Sequence, residues 1–140
     1  MPELDPESIN GSPPDLAGVL CERLLVQEFW YDGSQEEEAN VIYLLAGGQW
    51  LRLYFDWGVV FWREASEQEI QTPPFKDDSG AENTYPIRDL GAELKRDGQR
   101  IKGYAMEAIA DGACVMIGFE DGLSIVFESV NDSTAIRVEQ

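Results

Sequence analysis

The sequence predicts a mainly β protein with antiparallel sheets, and an α+β fold is the alternative. Three short apolar segments, VIYLLA, WLRLYF and VVFWRE, follow one another within residues 41–64. A second series, ACVMIGF, LSIVFE and TAIRVE, lies within residues 113–139. Runs of β-branched and aromatic residues separated by glycine-containing turns are typical of antiparallel strands. We therefore expect a sandwich- or barrel-like arrangement of these strands.

The chain of 140 residues is long enough for one domain with a single apolar core. Residues 1–14 contain four prolines among acidic and small polar residues, and their only large apolar side chains beyond Met1 are Leu4 and Ile9. Such a composition predicts a disordered acidic tail. The predicted domain therefore spans residues 15–140.

Two segments predict short helices. DLAGVLCERLL, beginning at Asp15, places leucines at helical spacing behind an N-capping side chain, and DLGAELKR, beginning at Asp89, has a similar start. When residues 15–64 are aligned with residues 89–138, seven of the fifty positions are identical. We interpret these segments as two similar halves, each a helix plus four strands, joined by a long loop over residues 65–88. Chance similarity between two alternating meanders is the alternative.

Turn chemistry predicts which residues share a face. Asp56-Trp57-Gly58 and Glu120-Asp121-Gly122 each fit a three-residue hairpin loop that ends in a left-handed glycine. In the second hairpin this register pairs Phe119 with Leu123, Ile117 with Ile125 and Val115 with Phe127. In the first hairpin it pairs Phe55 with Val59 and Leu53 with Phe61 on the core face.

The same register gives the first hairpin an aromatic second face, which carries Trp50, Arg52, Tyr54 and Trp62. Either the helix near residues 15–25 or the strand through Phe29 and Trp30 covers this face, or the face binds a partner. Tryptophan, tyrosine and arginine are typical of interface hot spots. We also expect Arg52 to lie over Trp62 as a cation–π pair.

The chain carries 27 acidic and 10 basic residues and no histidine, which gives a formal charge of −17. Residues 1–38 hold ten acids and one base, a net charge of −9, and Glu36, Glu37 and Glu38 lie in a predicted mobile loop over residues 32–40. Such a field repels nucleic acid and attracts basic proteins. An acidic surface that serves only solubility is the alternative.

Catalytic and cofactor motifs are not found in the sequence. The lack of histidine argues against a zinc site and against serine–histidine or cysteine–histidine nucleophiles, and no nucleotide-binding glycine motif occurs. Carboxylate pairs such as Glu107 with Asp111 are unspecific. Cys21 and Cys114 lack metal-binding spacing and are expected to be buried free thiols. We therefore expect no enzyme activity and no cofactor.

The N-terminal segment has neither a basic start nor an apolar stretch, and the chain contains no apolar run of membrane-spanning length. We expect a cytoplasmic protein that does not associate with membranes. In outline the chain resembles the small acidic inhibitor or immunity proteins by which bacteria neutralise basic toxin enzymes. The alternative is a homo-oligomeric scaffold, such as a homodimer, that uses the aromatic face against itself. An enzyme acting through carboxylates is a third alternative.

Overall fold

A computed structural model describes residues 3–140 of the chain. It is mainly β with antiparallel sheets, as the sequence predicts. The strands are β1 (Ile9–Asn10), β2 (Cys21–Tyr31), β3 (Ser34–Ala46), β4 (Gln49–Asp56), β5 (Val59–Ala65), β6 (Phe75–Lys76), β7 (Glu82–Thr84), β8 (Ile87–Arg88), β9 (Ile101–Ile109), β10 (Gly112–Phe119), β11 (Ser124–Val130) and β12 (Ser133–Glu139). The helical elements are the 3-10 turns Pro6–Ser8 and Glu67–Glu69 and the helix α1 (Leu90–Glu93).

The strands form two sheets. The large sheet has the order β1-β5-β4-β3-β2-β7-β6, with β8 also paired to β2, and the small sheet has the order β12-β11-β10-β9. Only the β1–β5 pair, among the strand pairs of residues 3–140, is parallel. Over the same residues neither sheet closes on itself as a barrel would.

One apolar core joins the two sheets. Leu24, Ile42 and Leu53 of the large sheet belong to the same buried cluster as Val115 and Phe127 of the small sheet. All five side chains are at most 2% exposed. Their burial removes apolar area on both inner faces from contact with water, and this is the main favourable contribution to folding.

Residues 3–14, predicted to belong to a disordered tail, lie along the edges of both sheets. Leu4 is buried, and its backbone N–H donates to the carbonyl of Met106 in β9 at 3.1 Å. Ile9 pairs with Val60 of β5. These two isolated apolar residues pack against strands from distant parts of the chain, so no local pattern in the sequence indicates these contacts. Residues 1 and 2 lie outside the described part.

No helix forms within residues 15–25 of the described chain, contrary to the prediction. Leu16 is buried, Gly18 turns the backbone with a φ of 78°, and Cys21 already begins β2. Leu20 is 38% exposed, so the leucines do not share one buried face. We call residues 3–20 the N-terminal strap, because they also border β9 through a hydrogen bond of 2.9 Å from the Ile101 N–H to the Val19 carbonyl.

The predicted helix in the second half is present, although short. Asp89 caps α1 by accepting a hydrogen bond from the Ala92 N–H at 3.1 Å. β2–β5 and β9–β12 are both four-stranded antiparallel meanders, but only the second is preceded by a helix within residues 3–140. The predicted loop over residues 65–88 contains a 3-10 turn and the strands β6, β7 and β8.

The two hairpins differ in how well their registers were predicted. In the second, Ile117 pairs with Ile125 and Val115 with Phe127, and the loop ends in Gly122 with a φ of 97°, as expected. In the first, the loop has two residues instead of three, because Asp56 pairs directly with Val59.

The shorter loop consists of Trp57 and Gly58, both in the left-handed region with φ of 48° and 77°. Left-handed conformations at both positions are the mark of a type I′ turn, whose twist matches that of the strands. Leu53 therefore faces Trp62, not Phe61. A slip of one residue moves every side chain of a strand to the other face, so Trp62 and Phe61 exchange roles.

The two cysteines are free thiols, and both are buried, as predicted. Within residues 3–140, no helix has the length and apolar character that a membrane-spanning helix needs.

Candidate interaction surface

The β4–β5 hairpin carries arginine and aromatic side chains on the face that points away from the core. We call this set the outer hairpin face: Trp50, Arg52, Tyr54, Phe61 and Arg63. The Tyr54 and Phe61 rings stack with centroids 4.8 Å apart and an angle of 6° between their planes. The guanidinium of Arg52 lies 5.4 Å from the Tyr54 ring centroid, and that of Arg63 lies 5.5 Å from the Phe61 centroid. These contacts hold the planar groups in a fixed array.

Part of the outer hairpin face is covered. Ile70 is buried in a small second cluster with Leu25 and Tyr43, and Trp50 packs against that cluster. The Tyr43 hydroxyl donates to the Glu69 carbonyl at 3.4 Å. The cover comes from the segment after β5, neither from the predicted helix near residue 20 nor from the strand through Phe29 and Trp30.

Arg52 lies where the cover ends. One of its terminal nitrogens is 3.8 Å from a carboxylate oxygen of Glu69, and a third of its side chain is exposed. Its Nε–H is buried and has no acceptor within residues 3–140. The predicted cation–π partner, Trp62, is on the opposite face, and Tyr54 takes its place.

Trp62, predicted on the aromatic face, lies in the core and is 2% exposed. Its ring centroid is 5.2 Å from that of Tyr104, and its indole N–H donates to the Met106 sulfur at 3.3 Å. Both partners belong to β9, so Trp62 connects the two sheets. A direct contact between Trp62 and a partner would require the core to open.

The three acidic residues predicted in a mobile loop lie in β3 instead. The Glu37 carboxylate accepts a hydrogen bond from the Thr134 N–H, and that of Glu38 accepts one from the Ile136 N–H, both at 2.7 Å. Thr134 and Ile136 lie in β12, the edge strand of the small sheet, so these carboxylates occupy backbone donors that would otherwise be free for edge-to-edge pairing. Burial raises the pKa of Glu37. Of the three, only Glu36 is exposed.

A surface that the sequence did not predict lies at one end of the protein, where three hairpin turns meet. Trp57 of the β4–β5 turn is 81% exposed, and its N–H donates to the Asp132 carboxylate of the β11–β12 turn at 3.2 Å. The Asn131 N–H donates to the Asp111 carbonyl of the β9–β10 turn at 3.0 Å. A cleft of about 270 Å3, lined by Trp57, Gly58, Asp111, Gly112, Asn131 and Asp132, lies between them. We call it the tip cleft.

The sequence held a signal for this site. Positions in a type I′ turn require a positive φ, which favours asparagine, aspartate and glycine. Tryptophan at such a position is unfavourable for the backbone, and Trp57 gains little burial in return. The three-residue loop predicted from the sequence hides this unfavourable position, because Trp57 need not be left-handed in such a loop.

The arginines of the protein are largely engaged by its own acids. Within residues 3–140, Arg23, Arg52, Arg88, Arg96 and Arg137 each have a carboxylate within 4.0 Å. Of these five, only Arg96 is deeply buried, with 7% of its side chain exposed, so most of the pairs contribute little to stability. They do reduce the positive charge available to anions, and the remaining surface is strongly acidic.

A concavity of about 850 Å3 lies between the N-terminal strap, the start of β4 and the end of β5. The partly exposed residues Val19 and Leu51 line it together with Asp15, Arg63 and Glu64. Within the described residues, no group of three or more Cys, Asp or Glu side chains is arranged to hold a metal ion.

No protein-family model matches this chain, and neither the curated proteins nor the solved structures that were compared with it give a match.

Proposed function

We propose that this protein is a non-enzymatic, cytoplasmic binding module for a basic protein partner. In this proposal it acts as an inhibitor or immunity-type protein that neutralises the partner, for example a bacterial toxin enzyme. The observation that carries the proposal is the charge of −17, together with the internal pairing of the arginines.

The acidic surface would act mainly on association. Complementary charge steers two proteins together and raises the association rate constant, and salt screens this effect. The same field disfavours phosphate backbones, so nucleic acid is not the proposed partner.

Short-range contacts would then come from aromatic and arginine side chains. Trp50, Arg52 and Tyr54 remain in the proposal, because each is partly exposed on the outer hairpin face. Glu36 also remains, as an exposed acid. Trp62, Glu37 and Glu38 would instead stabilise the fold, because their side chains form hydrogen bonds within the protein.

For the fold we propose that two related meanders pack face to face, as in a sandwich. β5 and β12 begin 74 residues apart, at Val59 and Ser133, and each follows a two-residue turn with positive φ at both positions. This correspondence favours related halves over chance similarity.

The proposal can be tested by affinity capture with the full chain, using lysate of its own source organism at low and at high salt. A captured basic protein that loses its activity when the purified chain is added, and that binds more weakly at high salt, would support the proposal. The matched control replaces an exposed acid with the other acidic residue type, as in Glu36→Asp, which keeps the charge. The corresponding neutral variant, Glu36→Gln, should associate more slowly than this control.

The proposal fails if the captured protein keeps full activity when saturated with the chain, or if neutral and charge-preserving variants associate equally fast. A stable dimer of the purified chain, seen by light scattering at micromolar concentration and abolished by Tyr54→Ala, would instead favour the homo-oligomeric scaffold.

A further inference from the structure

The tip cleft combines a largely exposed tryptophan with carboxylates. Trp57 is 81% exposed, while Trp62 is 2% exposed and the other tryptophans are partly buried. Asp111 and Asp132 line the cleft beside it. The described residues that line the cleft include no lysine or arginine. The carboxylates therefore have no cation of the protein beside them in the cleft.

We infer that the tip cleft binds a cationic side chain of a protein partner, with an arginine or lysine stacked on Trp57 and paired with Asp111 and Asp132. The inference rests on the proposed basic partner and names where that partner is held. Tryptophan offers the best aromatic face for a cation, and a guanidinium can stack on the ring while it donates hydrogen bonds to carboxylates in its plane.

The cleft is preorganised for such a ligand. Its three turns belong to three hairpins of the two sheets, and the hydrogen bonds Trp57–Asp132 and Asn131–Asp111 tie the turns to each other. A site held by short turns on paired strands loses little conformational entropy when it binds.

The identity of the residue at position 57 also fits a binding role. Trp57 has a φ of 48°, a conformation that asparagine adopts with less strain. An asparagine there would therefore satisfy the turn better. A tryptophan that is unfavourable for its turn and contributes little burial is explained by contact with another molecule.

The experiment uses the full chain and a short arginine-rich peptide, with a peptide of the same length that has serine in place of arginine as control. Tryptophan fluorescence should change on titration with the arginine peptide only. Trp57→Asn should remove most of that change and weaken binding about fivefold or more, because a cation–π contact of ordinary strength is lost. The same variant should keep or raise the thermal midpoint, since asparagine suits the turn.

The charge is tested separately from the site. Asp111→Asn with Asp132→Asn removes two charges from the cleft while keeping side chains that tolerate a positive φ and accept hydrogen bonds. Asp78→Asn with Glu120→Gln removes two charges from exposed positions that do not line the cleft, so the net charge is the same. Only the first pair should weaken peptide binding beyond the small effect of net charge.

The two proposals can fail independently. Equal loss of binding in both double variants, or no effect of Trp57→Asn, would overturn the tip cleft as a site even if a captured partner is still inhibited. Conversely, specific peptide binding at Trp57 with no inhibited partner in the lysate experiment would uphold the site and refute the inhibitor function.

Discussion

Replacing Trp62 with alanine tests the register of the first hairpin most directly. Trp62 is 2% exposed and bridges the sheets through its contacts with Tyr104 and Met106. Removing a buried aromatic side chain of this size takes away its apolar burial and leaves a cavity that the two sheets can fill only in part, which typically costs about 3–5 kcal/mol. A domain of this length is stable by about 5–15 kcal/mol, so about a fifth or more of its stability is at stake.

The matched control is Trp50→Ala. Trp50 is the same kind of residue on the neighbouring strand, but it lies partly exposed on the outer hairpin face. Because less of its surface is buried and solvent can enter the space left behind, we expect a loss of about 1–2 kcal/mol.

The assay is urea denaturation followed by far-ultraviolet circular dichroism, which does not depend on the tryptophans that are being removed. The free energies of unfolding of the two variants should differ by about 1–4 kcal/mol, with similar denaturant slopes. Equal losses, or a smaller loss for Trp62→Ala, would mean that Trp62 lies on the outer face and that the turn has three residues. The left-handed conformation of Trp57 would then fail as well.

Three further predictions follow from the strap, the capped edge and the thiols. Deletion of residues 1–11 should lower the free energy of unfolding by about 2 kcal/mol or more, because buried Leu4 is lost, and an unchanged denaturation midpoint would support the disordered tail. Burial raises the pKa of Glu37. The charged carboxylate therefore lowers the free energy of unfolding at pH values above this raised pKa, and the loss disappears as the pH falls to the ordinary pKa of a glutamate. Glu37→Gln keeps an acceptor for the Thr134 N–H, so at neutral pH the variant should be at least as stable as the wild type, and its stability should depend less on pH. A variant less stable than the wild type would contradict the prediction that the charge of Glu37 opposes folding. Burial raises the pKa of Cys21 to about 12, so the native protein should react with a thiol reagent at pH 8 only at the rate of unfolding, and rapid labelling of this residue would be inconsistent with its burial.

The parts of the fold that local chemistry determines were predictable. The second hairpin follows from Gly122, because a three-residue loop needs one left-handed residue and glycine provides it. The cap of α1 follows from Asp89, whose side chain accepts from the backbone three residues later. Both features depend on neighbours within a few positions.

The features that the sequence did not predict depend on residues far away in the chain. Leu4 is buried by β9, about 100 residues later, and no local pattern announces that contact. Glu37 and Glu38 belong to a run of acids, which usually indicates a solvated loop. Their hydrogen-bond donors in β12 lie 97 and 98 positions later in the chain, so the local sequence gives no sign of these contacts. For the candidate surface, composition favours the β4–β5 hairpin, but the sequence assigns the faces of its strands from a turn of three residues, whereas the turn has two.

That turn connects the fold to the proposed function. A two-residue turn forces Trp57 into the left-handed region, places Trp62 in the core and leaves Trp57 outside both faces of the sheet. A three-residue loop would have relieved the backbone at position 57 but would have turned Trp62 outward and lost its bridge between the sheets. The strain at Trp57 is therefore coupled to the packing of Trp62, and only the identity of the residue at position 57 remains free to change. Asparagine would suit the turn better and leave the core unchanged, so the exposed tryptophan is best explained by what it contacts outside the protein, in a cleft that it shares with the carboxylates Asp111 and Asp132.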